Sequence, residues 1–201
     1  DNIFADALNR GVTFDVEAAY ASALRNGSVY SVNNRNNSYS GRAHMDGMVF
    51  LGYVPQDGVT GGWGGEEFNF SWSMEGSGTD FAIASMAKYL RDKATPGSEA
   101  WQKYNDEYLY FTARATNYIH LFNESMGGWF RAKKSDGTWL QTDEQFDPTA
   151  QGYGYCEDNA YNYAFPPYDG QGLANLYGMA RNQNGRTALG DKLDEAYSAV
   201  G

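Results

Sequence analysis

The chain has 201 residues, 42% of them apolar and 20% charged, a balance that supports a packed core and excludes a disordered segment. Its net charge of −10, with Arg131, Lys133 and Lys134 as the densest basic cluster, excludes a nucleic-acid partner, because nothing replaces phosphate counterions. No apolar run reaches the roughly 18 residues of a membrane span. Cys156 is the single cysteine, which leaves no intrachain disulfide and no cysteine-based zinc cluster.

The spacing of Ile3, Phe4, Ala7 and Leu8 predicts a helix over residues 2–9, closed by Gly11. Asp15 is the expected N-cap of a second helix, with Val16, Ala19, Tyr20 and Ala23 on one face up to Asn26-Gly27. Residues 28–40 are rich in Ser and Asn and read as a loop. A short helix is expected from Gly41-Arg42, with Met45, Met48 and Val49 facing inward, ending at Gly52 before Pro55. The glycine-rich residues 57–65, around Trp63, read either as a loop lining a site or as a plain connector.

From Thr79, the stripe Ile83, Met86, Ala87 and Leu90 predicts an amphipathic helix, with Asp80 in its first turn serving the dipole. Pro96-Gly97-Ser98 breaks the chain. The longest helix is expected next, on the stripe from Trp101 through Tyr104, Tyr108, Phe111, Ala115, Tyr118 and Ile119 to Phe122. His120 lies off this stripe and reads as a solvated or hydrogen-bonded side chain rather than a metal ligand; His44 is far away in sequence. A β-hairpin is expected between 128–131 and 138–140 around Ser135-Asp136-Gly137, with Trp139 or Phe146 either walling a site or holding the hairpin down. Leu173, Leu176, Tyr177 and Ala180, then Leu189, Leu193, Ala196 and Tyr197, give two closing helices on either side of the polar turn 182–186.

The stretch Tyr153–Asp169 concentrates the chemistry. Glu157 is its proton-transfer group, set among Tyr153, Tyr155, Tyr161, Tyr163, Phe165 and Tyr168. Aromatic faces stack on the C–H faces of sugars, and Asn159, Asn162 and Asp169 can hydrogen-bond hydroxyls. A carboxyl desolvated by rings has a raised pKa and suits proton donation near neutrality. The same composition also describes a buried aromatic cluster with one satisfied Glu.

Glu157-Asp158-Asn159-Ala160-Tyr161-Asn162-Tyr163, followed by Pro167-Tyr168-Asp169 and Gly172-Leu173, resembles the Glu-Gly-Asn-Ala-Trp-Gln-Tyr … Pro-His-Asp … Gly-Leu segment of glycoside hydrolase family 92. Asp158, Tyr161, Asn162 and Tyr168 stand where the family has Gly, Trp, Gln and His. Further motifs occur in the same order. They are Ile3 to Tyr20, Gly52-Tyr53-Val54-Pro55, Ser73-Met74-Glu75 with Thr79 to Ala84, and Gly128 to Arg131 with Phe146-Asp147-Pro148. Gly76 and Gly78 replace two tyrosines of the family's pattern.

The resemblance implies a mainly α fold: part of an (α/α)6 toroid, about half of it, with a small β-hairpin and no domain boundary within residues 1–201. It implies an exo-acting α-mannosidase that hydrolyses glycans, α-1,2-linked mannose foremost, with inversion. Glu157 is then the general acid, and Tyr161, Asn162, Asn159 and Glu75 are the substrate contacts. It also implies a calcium cofactor, whose ligands, like the catalytic base, are expected outside this chain, and a secreted, periplasmic or cell-surface location. The partners implied are a mannose-containing oligosaccharide or glycoprotein glycan and the remainder of the catalytic domain, without which the segment is expected to be inactive. Two other readings stand beside it: a non-catalytic glycan-binding or structural helical module, and another inverting (α/α)6 glycosidase acting on glucosides.

Overall fold

In the computed structural model, residues 1–29, 42, 44–57, 68–155, 158–163, 166 and 168–199 are described. Among them the protein is mainly helical. Seven α-helices occur in chain order: α1 (Asn2–Asn9), α2 (Val16–Ser28), α3 (Met45–Phe50), α4 (Asn69–Lys93), α5 (Glu99–Ala115), α6 (Gly170–Arg181) and α7 (Gly185–Ala199). One two-stranded antiparallel sheet, β1 (Phe122–Asn123) and β2 (Trp129–Phe130), lies between α5 and α6. No described helix is long and apolar enough to cross a membrane.

The 25-residue α4 is the spine of the fold and spans about 37 Å. Its C-terminal half packs with α1, α2 and α5 around Ala5, Tyr20, Ile83, Met86, Leu90 and Phe111. Its N-terminal half supplies Phe70 and Met74 to a second cluster, with Tyr118, Phe122, Phe130, Tyr155, Leu173 and Tyr177. Caps set the helix starts where the sequence indicates them. Asp15 Oδ1 accepts from the Ala18 N–H at 3.0 Å, and Ser98 Oγ from the Trp101 N–H at 3.2 Å.

Several elements differ from their sequence reading. The helix expected from Thr79 begins ten residues earlier, at Asn69, and α4, not α5, is the longest helix. Gly76 and Gly78, upstream of that expected start, both lie inside α4. A Cβ at Gly76 would collide with the Met48 side chain, so the glycine lets α3 press against the spine. Burial in both clusters overrides the weak helix propensity of this stretch. Its hydroxyls are absorbed along the helix, Ser73 Oγ donating to the Asn69 carbonyl at 2.9 Å and Ser77 Oγ to that of Ser73 at 3.1 Å.

Met45 and Met48 face inward, but Val49 is exposed, because α3 starts only at Met45, with His44 in the left-handed region. Ile3 is also exposed, and Ala5 is the buried residue of α1. The stripe assigned to one long helix is shared between α5 and a 3-10 segment, Thr116–Leu121, which leaves Ile119 exposed.

Trp129-Phe130 pairs with Phe122-Asn123 rather than with Trp139-Leu140. The expected turn nonetheless forms one step along. Lys133 bridges Trp139, and the Leu140 N–H donates to the Ala132 carbonyl at 2.9 Å. The Ser- and Asn-rich loop lies almost entirely outside the described residues, as does most of the glycine-rich one with Trp63.

Candidate functional site

Glu75 and Asn162, 87 positions apart in sequence, line one cavity of about 460 Å³. It opens between α1, α4 and the residues Asn162, Tyr163, Pro166 and Tyr168. Phe81, Tyr163 and Tyr168 give it aromatic walls. Phe81 and Tyr168 stack with ring centroids 5.1 Å apart and planes at 21°, and the Tyr168 hydroxyl is anchored on the Ala115 carbonyl at 3.1 Å. Glu75 and Asn162 are exposed to solvent there. Rings beside an amide and a carboxylate suit a ligand with apolar C–H faces and hydroxyl groups.

The polar contribution of α1 went unread in the sequence. Asn2, Ala5, Asp6 and Asn9 line the cavity at i, i+3, i+4 and i+7. That spacing is a helical face and was a legible signal, masked by attention to the apolar Ile3 and Phe4. Asp6 is held by Arg10 Nε at 2.8 Å.

The loop leading to Glu157 is pinned to the start of α4. The Gly154 carbonyl accepts from the Ser71 N–H at 3.0 Å and from Ser71 Oγ at 3.1 Å. Gly154 has φ +85, and a Cβ there would meet Phe70 and Gln56, so glycine is required by both conformation and space. Tyr155 is wholly buried, its ring edge-on to Phe70 at 4.6 Å and its hydroxyl donating to the Phe130 carbonyl at 2.8 Å. The Asp158 N–H then donates to the Tyr155 carbonyl at 3.1 Å. Glu157 itself, with Cys156, Ala164, Phe165 and Pro167, lies outside the described residues.

The other two sequence candidates stand apart from the cavity lining. Asn159 Oδ1 accepts from the Tyr161 N–H at 3.0 Å and so shapes the turn. The Tyr161 ring is edge-on to Trp129 at 5.0 Å and packs on the second core cluster. Asp169 caps α6 through the Gly172 N–H at 2.8 Å and accepts from the Tyr118 hydroxyl at 2.7 Å.

Four buried cations organise the surroundings. Asp80, read as a dipole-serving residue of a first turn, is instead buried mid-helix between two arginines. Arg42 Nη1 lies 2.6 Å from its Oδ1, and Arg114 donates through Nε at 3.0 Å and Nη2 at 3.1 Å. Burial, the largest influence, pushes the Asp80 carboxyl above its ordinary range, against the pull of the two guanidiniums, whose N–H groups reach both of its oxygens.

Arg131 is 1% exposed, bonded to Asp143 at 2.7 Å and stacked over Phe146 at 4.3 Å. Phe146 also packs on Trp129, and Trp139 lies under Lys133 Nζ at 4.3 Å, so both rings hold the hairpin region down. The fourth cation is Lys192, whose ammonium burial drives down to about 7. His120 is exposed, and among the described residues no three His, Cys, Asp or Glu side chains converge on a metal-sized site.

A comparison with curated proteins finds no match. The family model described as the glycosyl hydrolase family 92 catalytic domain matches residues 1–200, in agreement with the ordered motifs and the mainly α fold. The chain therefore belongs to glycosyl hydrolase family 92.

Proposed function

We propose that this glycoside hydrolase chain contributes the general acid of an exo-acting α-mannosidase that releases terminal, α-1,2-linked mannose from glycans with inversion. The observation that carries the reading is the family match over residues 1–200, coupled to the Glu157-Asp158-Asn159 segment. The shared cavity of Glu75 and Asn162 supports it.

In this reading Glu157 protonates the departing glycosidic oxygen. Asn162 and Glu75 take sugar hydroxyls, and Phe81 and Tyr168 face the C–H side of the ring. Inversion needs a second carboxylate roughly 6.5–9.5 Å from the acid, with an attacking water between them. We assign that base to further residues of the family's catalytic domain, so that residues 1–201 alone are inactive. Calcium, when bound, would fix sugar hydroxyls as a hard oxygen-seeking cation. The described residues gather no ligand set for it, so no step here runs through the metal. The proposed location is secreted, periplasmic or cell-surface, where glycan substrates are exposed.

The test is product analysis with the full-length protein in calcium. A mannose-terminated α-1,2-disaccharide should release mannose whose first-formed anomer is β, as followed by proton NMR. Release from a glucose-terminated analogue would move the substrate to glucosides, and mannose binding without release would make the chain a glycan-binding module.

Glu75→Ala and Asn162→Ala should each raise KM about three- to tenfold, the worth of one hydrogen bond, with Tm nearly unchanged because both residues are exposed. Tyr161→Ala should instead lower Tm, since its ring packs on Trp129. A Tm loss at Glu75 or Asn162 with unaltered KM would remove that residue from the site.

A further inference from the structure

Lys192, on α7, is completely buried. Its Nζ lies 2.9 Å from the centroid of the Trp129 ring and 5.9 and 5.8 Å from those of Tyr161 and Tyr177. Among the described residues no hydrogen-bond acceptor reaches it. Glu195 Oε2, at 3.7 Å, is already held by Arg181 Nη2 at 2.8 Å. The ammonium thus sits in a cage of three π faces drawn from β2, from the segment after Glu157, and from α6.

Stability does not account for a charge in this place. Methionine has the same reach, fills irregular apolar space, and carries no desolvation cost. Buried ions are often replaced by apolar groups with no loss of stability. What the ammonium adds, in the protonated form that prevails below about pH 7, is direction. Attraction to the face of a ring fixes where that ring sits, and it is strongest when water is excluded. Trp129 is fixed in the sheet and Tyr177 in α6, both fully packed. Tyr161 is the partner on irregular backbone. It is followed by Asn162 at the cavity and preceded by Ala160, whose N–H reaches the Pro148 carbonyl at 3.2 Å.

We propose that Lys192 is a positioning residue, whose caged ammonium fixes Tyr161, and with it the segment joining Glu157 to Asn162, against the sheet and the α6–α7 pair. The catalytic part of this inference rests on the proposed role of Glu157; the tethering part does not.

The experiment is Lys192→Met in the full-length protein, read in two ways. Hydrogen exchange at the Ala160 and Asn162 amides should accelerate about tenfold while the amides of α4 keep their protection. For the mannose disaccharide, kcat should fall about tenfold with KM within about twofold, whereas an activated aryl mannoside, which needs little protonation, should barely change. Unchanged exchange would reduce the cage to packing and overturn the proposal. Equal loss of kcat on both substrates would overturn the catalytic part. Should Lys192→Met not fold, Tyr161→Leu removes the π face from the other side and should give the same pair of signatures. Glu157→Gln is measured in parallel. If that variant shows no leaving-group dependence, the acid assignment fails, and exchange at Ala160 and Asn162 still decides the tether.

Discussion

Glu157→Gln in the full-length protein is expected to lower turnover of unactivated mannosides by about 10²–10⁴-fold, the usual worth of a positioned general acid. Gln keeps the size and one acceptor of the side chain but has no proton to give to the leaving oxygen. Activated aryl mannosides, whose leaving groups depart as anions, should lose far less. KM should stay near the wild-type value, because the sugar contacts proposed at Glu75 and Asn162 are untouched. The acidic limb of the wild-type pH profile and its basic limb report different groups, and only the basic limb, where the acid loses its proton, should vanish in the variant. Uniform loss on both substrate types would assign Glu157 a structural role instead.

Asp80→Asn is expected to destabilise the fold by about 3–5 kcal/mol, the cost of removing one partner from a buried ion network. Asn removes the carboxylate that Arg42 and Arg114 share, both of them under 10% exposed. The damage extends beyond α4, because Arg114 Nη1 also donates to the Gly27 carbonyl at 2.8 Å at the end of α2. In a chain of this size the loss corresponds to a Tm lower by about 6–20 °C. Urea denaturation with an unchanged m-value measures it directly. A loss below about 1 kcal/mol would mean that the two guanidiniums find other partners, and that Asp80 is not the keystone between α2, α4 and α5.

The comparison of these two residues shows how differently they were legible. Glu157 stands out in the sequence as a candidate acid because its signal is local: a carboxyl among rings, in a segment whose neighbours follow a family's order. Asp80 was misread for the complementary reason. Its partners stand 38 positions before it and 34 after it, and no spacing rule connects Arg42, Asp80 and Arg114. With Gly76 and Gly78 just upstream, local propensity put a helix start at Thr79 and turned a buried keystone into an ordinary first-turn carboxylate. Lys192 shows the same limit. On a helical wheel it is one more charge of a surface helix, and only the placement of Trp129, Tyr161 and Tyr177 around it shows that it is enclosed.

By itself the sequence determined the helical class, the cap at Asp15, the breaks near Gly52 and at Pro96 to Ser98, and the family, because each depends on neighbours within one or two turns or on ordered short motifs. Tertiary structure alone decided the length of α4, the pairing of β2 with β1, and the meeting of Glu75, Asn162 and the polar face of α1 at one cavity. The physical reason is that burial energy is collected between distant segments. Two hydrophobic clusters draw a glycine- and serine-rich stretch into one continuous helix, and that helix carries Glu75 to the side where the segment after Glu157 returns.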